Sequence, residues 1–200
     1  MPHADSAYIP STIQSKREFW DHVYTQIESL VDDQRVWVSN LANASSVIYN
    51  SLKAFHQFGE GERAVNWAGF YIHADLFPQP KLVANGDSPP KDVLQLGPFC
   101  GKPACQFIPV GPGKARGVCA DAYTRASTIL VTDVEAYPGH IACDGETKSE
   151  IVCPLIWETT GERKVLGVLD MDCLALHGFQ DEDKEGLERI AGLVVRSSDW

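Results

Sequence analysis

Residues 150–173, EIVCPLIWETTGERKVLGVLDMDC, carry the clearest statement of fold class in the chain. Two runs rich in Ile, Val, Leu and Trp flank Thr159-Thr160-Gly161-Glu162. Apolar runs of this length joined by a short Gly-containing turn read as an antiparallel hairpin. Working outward, Asn66–His73 (NWAGFYIH) is a third strand, with Trp67, Gly69 and Tyr71 on one face and Ala68, Phe70 and Ile72 on the other. Asp92–Phe99 and Ala104–Val110 read as two more strands, broken at Gly97-Pro98, and Thr128–Thr132 as a short β-branched one. Ser15 and Glu18 have the spacing of a capping box for a helix running to about Asp32, with Phe19, Trp20, Val23, Ile27, Leu30 and Val31 as its apolar stripe. A second helix fits Val36 to about Phe58 and stops at Gly59-Glu60-Gly61; Gly117–Ala126 is a short helix, and Asp181 starts the last one. The order is helix, helix, three strands, short helix, three strands, helix, with no internal repeat. These hairpin-like spacings favour an α+β fold with an antiparallel sheet over a doubly wound parallel one.

The chain has 200 residues, 44% of them hydrophobic and 22% charged, with a net charge of -10. This describes an ordinary globular protein with a sizeable core. One domain over 15–200 behind a flexible polar tail, 1–14, fits better than two domains. The acidic balance argues against nucleic acid, which needs clustered positive charge. No apolar run reaches the roughly 18–20 residues that span a bilayer. The start, MPHADSAYIPSTIQSKR, lacks the basic-then-apolar pattern of a signal peptide. The default expectation is a cytoplasmic protein without membrane partners. Its six cysteines, at 100, 105, 119, 143, 153 and 173, contain no C-x-x-C pair. A static disulfide framework is therefore not expected, and zinc-ribbon and thioredoxin-like readings are weakened.

The chemistry is written in loops and strand ends. Tyr137–Glu150, YPGHIACDGETKSE, is a run of turn formers with Cys143 at its centre and His140 three residues upstream. A cysteine in such a loop is used for its sulfur rather than its volume, and a nearby protonated His would lower its pKa. Cys105 and Cys119 stand in Gly-, Pro- and Lys-containing stretches. Cys153 and Cys173 read as packing residues, and Cys100 as an accessory thiol. On the last strand Asp170 and Asp172 share a face with Leu166 and Val168. Two carboxylates there either reach solvent at a strand end or meet a cation or hydrogen-bonding ligand, since unpaired buried charges are costly. Glu150 opens the partner strand and can reach the same region. Trp67 and Tyr71 are either ordinary core or an aromatic wall for a small ligand. A metal site built on His140 and Cys143 has poor spacing, so no metal and no cofactor are expected.

These residues fall in segments that resemble the free methionine-(R)-sulfoxide reductases, which are single GAF-type domains. The matching pieces are NWAGFY (66–71), LGPFCGKPAC (96–105), GVC (117–119), YPGHIACDGETKSEIVCPL (137–155) and GVLDMDC (167–173), and the likeness runs from about residue 16 to 195. The resemblance implies a six-stranded antiparallel sheet flanked by helices, often in a homodimer. It implies reduction of the R epimer of free methionine sulfoxide. It carries the family's redox cysteines onto Cys143, Cys105 and Cys119, and its ligand contacts onto Trp67, Tyr71, Glu150, Asp170 and Asp172. Two features depart from the pattern. The segment between Cys105 and Cys119 is about four residues longer than the family's, and the family often lacks a cysteine at position 100.

The expected mechanism follows from that resemblance. Cys143 attacks the sulfoxide sulfur and becomes a sulfenic acid, while one of Glu150, Asp170 or Asp172 protonates the departing oxygen. Cys105 is the expected resolving thiol, with Cys119 competing or taking over by exchange, and thioredoxin is the expected reductant. The rival expectations are a non-catalytic GAF module that binds a small molecule, and a redox switch that turns nothing over.

Overall fold

The computed structural model describes residues 8–78, 82, 91–141 and 144–200. One six-stranded antiparallel sheet organises them, in the order β3-β2-β1-β6-β5-β4. The strands are β1 (Val65–His73), β2 (Val93–Gly101), β3 (Phe107–Pro109), β4 (Ile129–Val131), β5 (Ser149–Thr159) and β6 (Glu162–Cys173). Helices α1 (Lys16–Val31), α2 (Trp37–Ala54) and α4 (Asp181–Arg196) cover one face, and the short α3 (Val118–Arg125) lies on the other. The antiparallel α+β expectation holds, including the order of elements. Among the described residues no helix is long and apolar enough to cross a membrane.

The hairpin read from residues 150–173 is the spine of the sheet. Its strands pair from Ser149↔Cys173 to Thr159↔Glu162, around a turn in which Gly161 has φ 94°. A register shift between Leu155 and Ile156 changes the phase of the pair. Leu166 consequently packs into the core under the long helices, while Val168 faces the other side. The simple alternation that put Leu166 with Asp170 is broken there, because a bulge reverses every side chain beyond it. A second irregularity corrects the reading of β2. Gly97-Pro98 does not end that strand; Leu96 pairs with Tyr71 and Phe99 with Gly69, so the strand bends past Phe70 and continues. Proline without its N–H is tolerated at such a bulge. The segment after it shrinks to the three residues of β3.

The larger core holds Phe19, Trp20, Ile27, Leu41, Ile48 and Leu52 against Phe70, Leu155, Leu169 and Ile190. Ser15 caps α1 through the expected capping box with Glu18. A buried polar knot fastens α1 to α4. Asp183 accepts from Lys16 Nζ, from Trp20 Nε1 at 2.9 Å and from the Gln180 backbone N–H at 2.8 Å. Fully buried charge is tolerated here because every partner is supplied. Removing one side leaves the other uncompensated. Asp183→Ala is therefore expected to cost about 3–5 kcal/mol, read as a lower urea midpoint with unchanged slope.

Candidate active site

Strand register assembles the site on the face opposite the long helices. Glu150 of β5 pairs with Asp172 of β6, and Asp172 pairs in turn with Trp67 of β1. Two residues along, Val152, Asp170, Gly69 and Phe99 form the next row across β5, β6, β1 and β2. Directly paired side chains on one face lie about 5 Å apart at Cβ. Acidic and aromatic groups far apart in the chain are thus brought edge to edge.

Gly69 makes the aromatic wall possible. A Cβ there would sit 2.3 Å from Phe99 Cβ and 2.7 Å from the far edge of the Trp67 ring. With no side chain in the way, Trp67 stacks between Tyr71 (centroids 5.7 Å apart) and Phe99 (5.5 Å). The Tyr71 hydroxyl donates to the Cys105 carbonyl at 2.9 Å, which pins the chain between β2 and β3 against the wall. Trp67 and Tyr71 are both buried and share a core with Val118, Cys119, Val152 and Val168. They are core and cavity wall at once.

A cavity, partly open to solvent, lies over these rows. Trp67, Tyr71, Cys105, Cys119, Glu150, Asp170 and Asp172 all line it. The eighth residue expected from the sequence, Cys143, lies outside the described residues. Ile141 and Asp144, which bracket it in the chain, both line the cavity. Cys105 is half-buried, and Cys119 is buried at the start of α3. Cys153 and Cys173 sit in the large core, as packing residues should. Cys100 does not line the cavity, and burial raises its pKa.

The acidic wall holds protons. Burial pushes Asp170 well above the ordinary carboxylate range, and the charges of Asp172 and Glu150 push it further. Burial raises Asp172 in the same way, helped by Glu150 and Asp144. Glu150 is raised by burial, against the opposing pull of His140, whose Nε2 lies 3.4 Å from its carboxylate. Three neighbouring carboxyls under low solvation cannot all ionise together, so the set titrates as a unit. Cys119 shares that environment. Its thiol donates to Asp170 at 3.4 Å and lies 3.9 Å from Glu150. Burial, followed by the charges of Asp170, Glu150 and Asp172, holds it protonated.

Several lining groups escaped the sequence reading. Asn66 donates to Asp144 at 3.0 Å and to Thr147 at 3.1 Å, fastening the Tyr137–Glu150 loop to β1. A register shift between Val65 and Trp67 turns Asn66 into the cavity, and alternation alone gives no sign of it. Lys102 bridges Asp144, at 3.2 Å, and Glu146. Burial works against ionisation of Asp144, but the Glu146 N–H, Lys102 and Asn66 outweigh it and lower its pKa. Arg116 lines the cavity from the segment before α3. Among the described residues, Cys119, Glu150 and Asp170 bring one ligand atom each within 4.8 Å of the others. An ammonium group suits this cluster as well as a metal does, through charge-assisted hydrogen bonds.

No protein-family model matches the chain. It is 42% identical to the free methionine-R-sulfoxide reductase of Saccharomyces cerevisiae over 195 residues, which is 98% of this chain and 93% of that protein. A solved GAF domain superposes with a TM-score of 0.79 at 41% identity, covering 98% of this chain and 96% of its own. The free methionine-R-sulfoxide reductase of Neisseria meningitidis, solved in complex with its substrate, superposes with a TM-score of 0.73 at 34% identity, covering 92% of this chain and 91% of its own.

The proton-holding wall has a consequence for stability. Asp170 and Asp172 bind protons more tightly folded than unfolded. Between the ordinary value of 3.8 and the raised folded titrations the native state holds more protons, so stability falls as pH rises through that window. Asp170→Asn removes the share of this loss that Asp170 carries. The variant is expected to unfold at a higher temperature than the parent near pH 8, by about 2–4 °C per kcal/mol gained, with the gap closing towards pH 4. Thermal melts across that range check it.

Proposed function

The chain belongs to the free methionine-R-sulfoxide reductase family, and from that membership we propose that its acidic, aromatic-walled cavity reduces free L-methionine-R-sulfoxide. One observation carries the reading: a wall of proton-holding carboxyls, a stacked Trp-Tyr pair and two thiols line one cavity. Whichever of Glu150, Asp170 and Asp172 is ionised attracts the substrate ammonium, while the others keep their protons. Trp67 and Tyr71 hold the methyl group and the sulfur.

Cys143, as thiolate, attacks the sulfoxide sulfur. Oxygen passes from the substrate to the cysteine sulfur, and a neutral carboxyl of the acidic set supplies the proton to that oxygen. The sulfoxide gains two electrons and leaves as methionine, while Cys143 becomes a sulfenic acid. A second thiol then attacks the sulfenic sulfur, releasing water and forming a disulfide. Cys105 suits this step better than Cys119. Cys105 is half-buried at the cavity, whereas burial and the neighbouring acids hold Cys119 as a thiol, and the thiolate is the attacking species. Cys119 enters by exchange with the disulfide once formed. A dithiol of the thioredoxin type restores the enzyme and is itself oxidised, as the cytoplasm would permit. Residues 15–200 form the catalytic unit, and among the described residues before it Ile9 and Ile13 pack against the main core.

Three variants test the assignment in an assay of free methionine-R-sulfoxide coupled to a thioredoxin system. Cys143→Ser is expected to release no methionine. Cys105→Ser should release about one equivalent per chain, the stoichiometry of a single sulfenic acid, and then stall. Repeated turnover by that variant removes Cys105 as the sole resolving thiol. Asp172→Asn should lower kcat by about 10²–10⁴, the usual contribution of a positioned acid, without lowering the melting temperature. A matching loss of stability assigns Asp172 to structure instead.

A further inference from the structure

A free amino acid brings two charges into the cavity, and the acidic wall answers only one of them. We propose that Arg116 binds the substrate's α-carboxylate and sets the requirement for an unblocked carboxyl end; this rests on the reading that free methionine sulfoxide is the substrate.

The cavity is lined by four carboxylates, Asp144, Glu150, Asp170 and Asp172, and by two residues that carry a lasting positive charge, Lys102 and Arg116. A substrate carboxylate is repelled from the first group and must find a cation, or lose its hydration uncompensated. Lys102 is already committed, bridging Asp144 and Glu146. His140 faces Glu150 at 3.4 Å. Arg116 makes no ion pair among the described residues, although a free guanidinium in a chain of net charge -10 has acids to choose from.

Its position fits the role. Arg116 precedes Gly117, which takes φ 85° and forms the N-cap of α3 without a side-chain hydrogen bond. Val118 and Cys119, in the first turn of that helix, line the same cavity. The uncapped N–H groups of the helix start add partial positive charge on the side from which Arg116 enters. Arg116 is itself exposed, so it stands where the substrate's backbone end meets solvent. A guanidinium there offers a planar, bidentate fork to a carboxylate, which a point-charge ammonium does not. An amide or a peptide bond in place of the carboxylate loses the charge and half of the fork.

The test crosses three enzymes with two substrates. Kinetics are measured for the parent chain, Arg116→Ala and Arg116→Lys, with free L-methionine-R-sulfoxide and with its C-terminal amide. The parent should prefer the free acid. Arg116→Ala should raise KM for the free acid at least tenfold while kcat falls much less. It should lower activity on the amide by a much smaller factor, so that the preference for the free acid narrows several-fold. Arg116→Lys should restore part of it. If the parent is active but its preference for the free acid survives in Arg116→Ala, Arg116 does not read the carboxylate. If the parent reduces neither compound, the substrate assignment fails first and takes this proposal with it. Arg116→Ala melting with the parent shows that the effect is not a folding defect.

Discussion

Pairing Glu150 with Asp172, and Asp172 with Trp67, is the constraint on which the molecule is built. It places acids and an aromatic ring in one row at the middle of a sheet, where water is scarce. Carboxyls in such a setting keep their protons, and a thiol among them keeps its own. Functional pKa values therefore follow from strand register rather than from any one local motif. The cost is carried by the opposite face. There the three long helices bury a large apolar core, and the Lys16–Asp183–Trp20 knot locks the first helix to the last. A site that destabilises its own fold needs a scaffold with stability to spare.

The same register separates the tasks of the thiols. Cys119 starts a helix directly over the acids and is held as a thiol. Cys105 lies in the segment between β2 and β3, anchored through its carbonyl by Tyr71 and less buried. Equivalent chemical groups meet different surroundings: Cys119 is buried against Asp170 and Glu150, whereas Cys105 is only half-buried at the cavity wall. Charge is divided in a parallel way. Acids come from the central strands, whose order the sheet dictates. The cations come from the loops at the rim, where Lys102 ties down the Tyr137–Glu150 loop and Arg116 makes no ion pair among the described residues.

Much of this was legible without coordinates. The capping box at Ser15 and Glu18, the hairpin about Gly161 and the faces of β1 rest on interactions within a few residues of one another, so local spacing encodes them. The acidic pair at Asp170 and Asp172 was visible for the same reason. Leu166 was misplaced because a bulge reverses alternation, and a bulge is set by the partner strand. Gly97-Pro98 read as a break because either residue alone favours one; pairing with β1 on both sides carries the strand through. Asn66 stayed hidden because its orientation depends on the register shift before Trp67.

Period, caps and turns dictated an antiparallel α+β chain, and residue chemistry marked its thiols, acids and aromatic rings. What no single stretch of chain contains is adjacency. That Asp172 lies between Glu150 and Trp67, that Cys119 meets Asp170, and that Arg116 faces the same cavity all depend on residues 22 to 105 positions apart being brought together by one register. Burial then shifts the proton affinities, and burial exists only once the chain is packed.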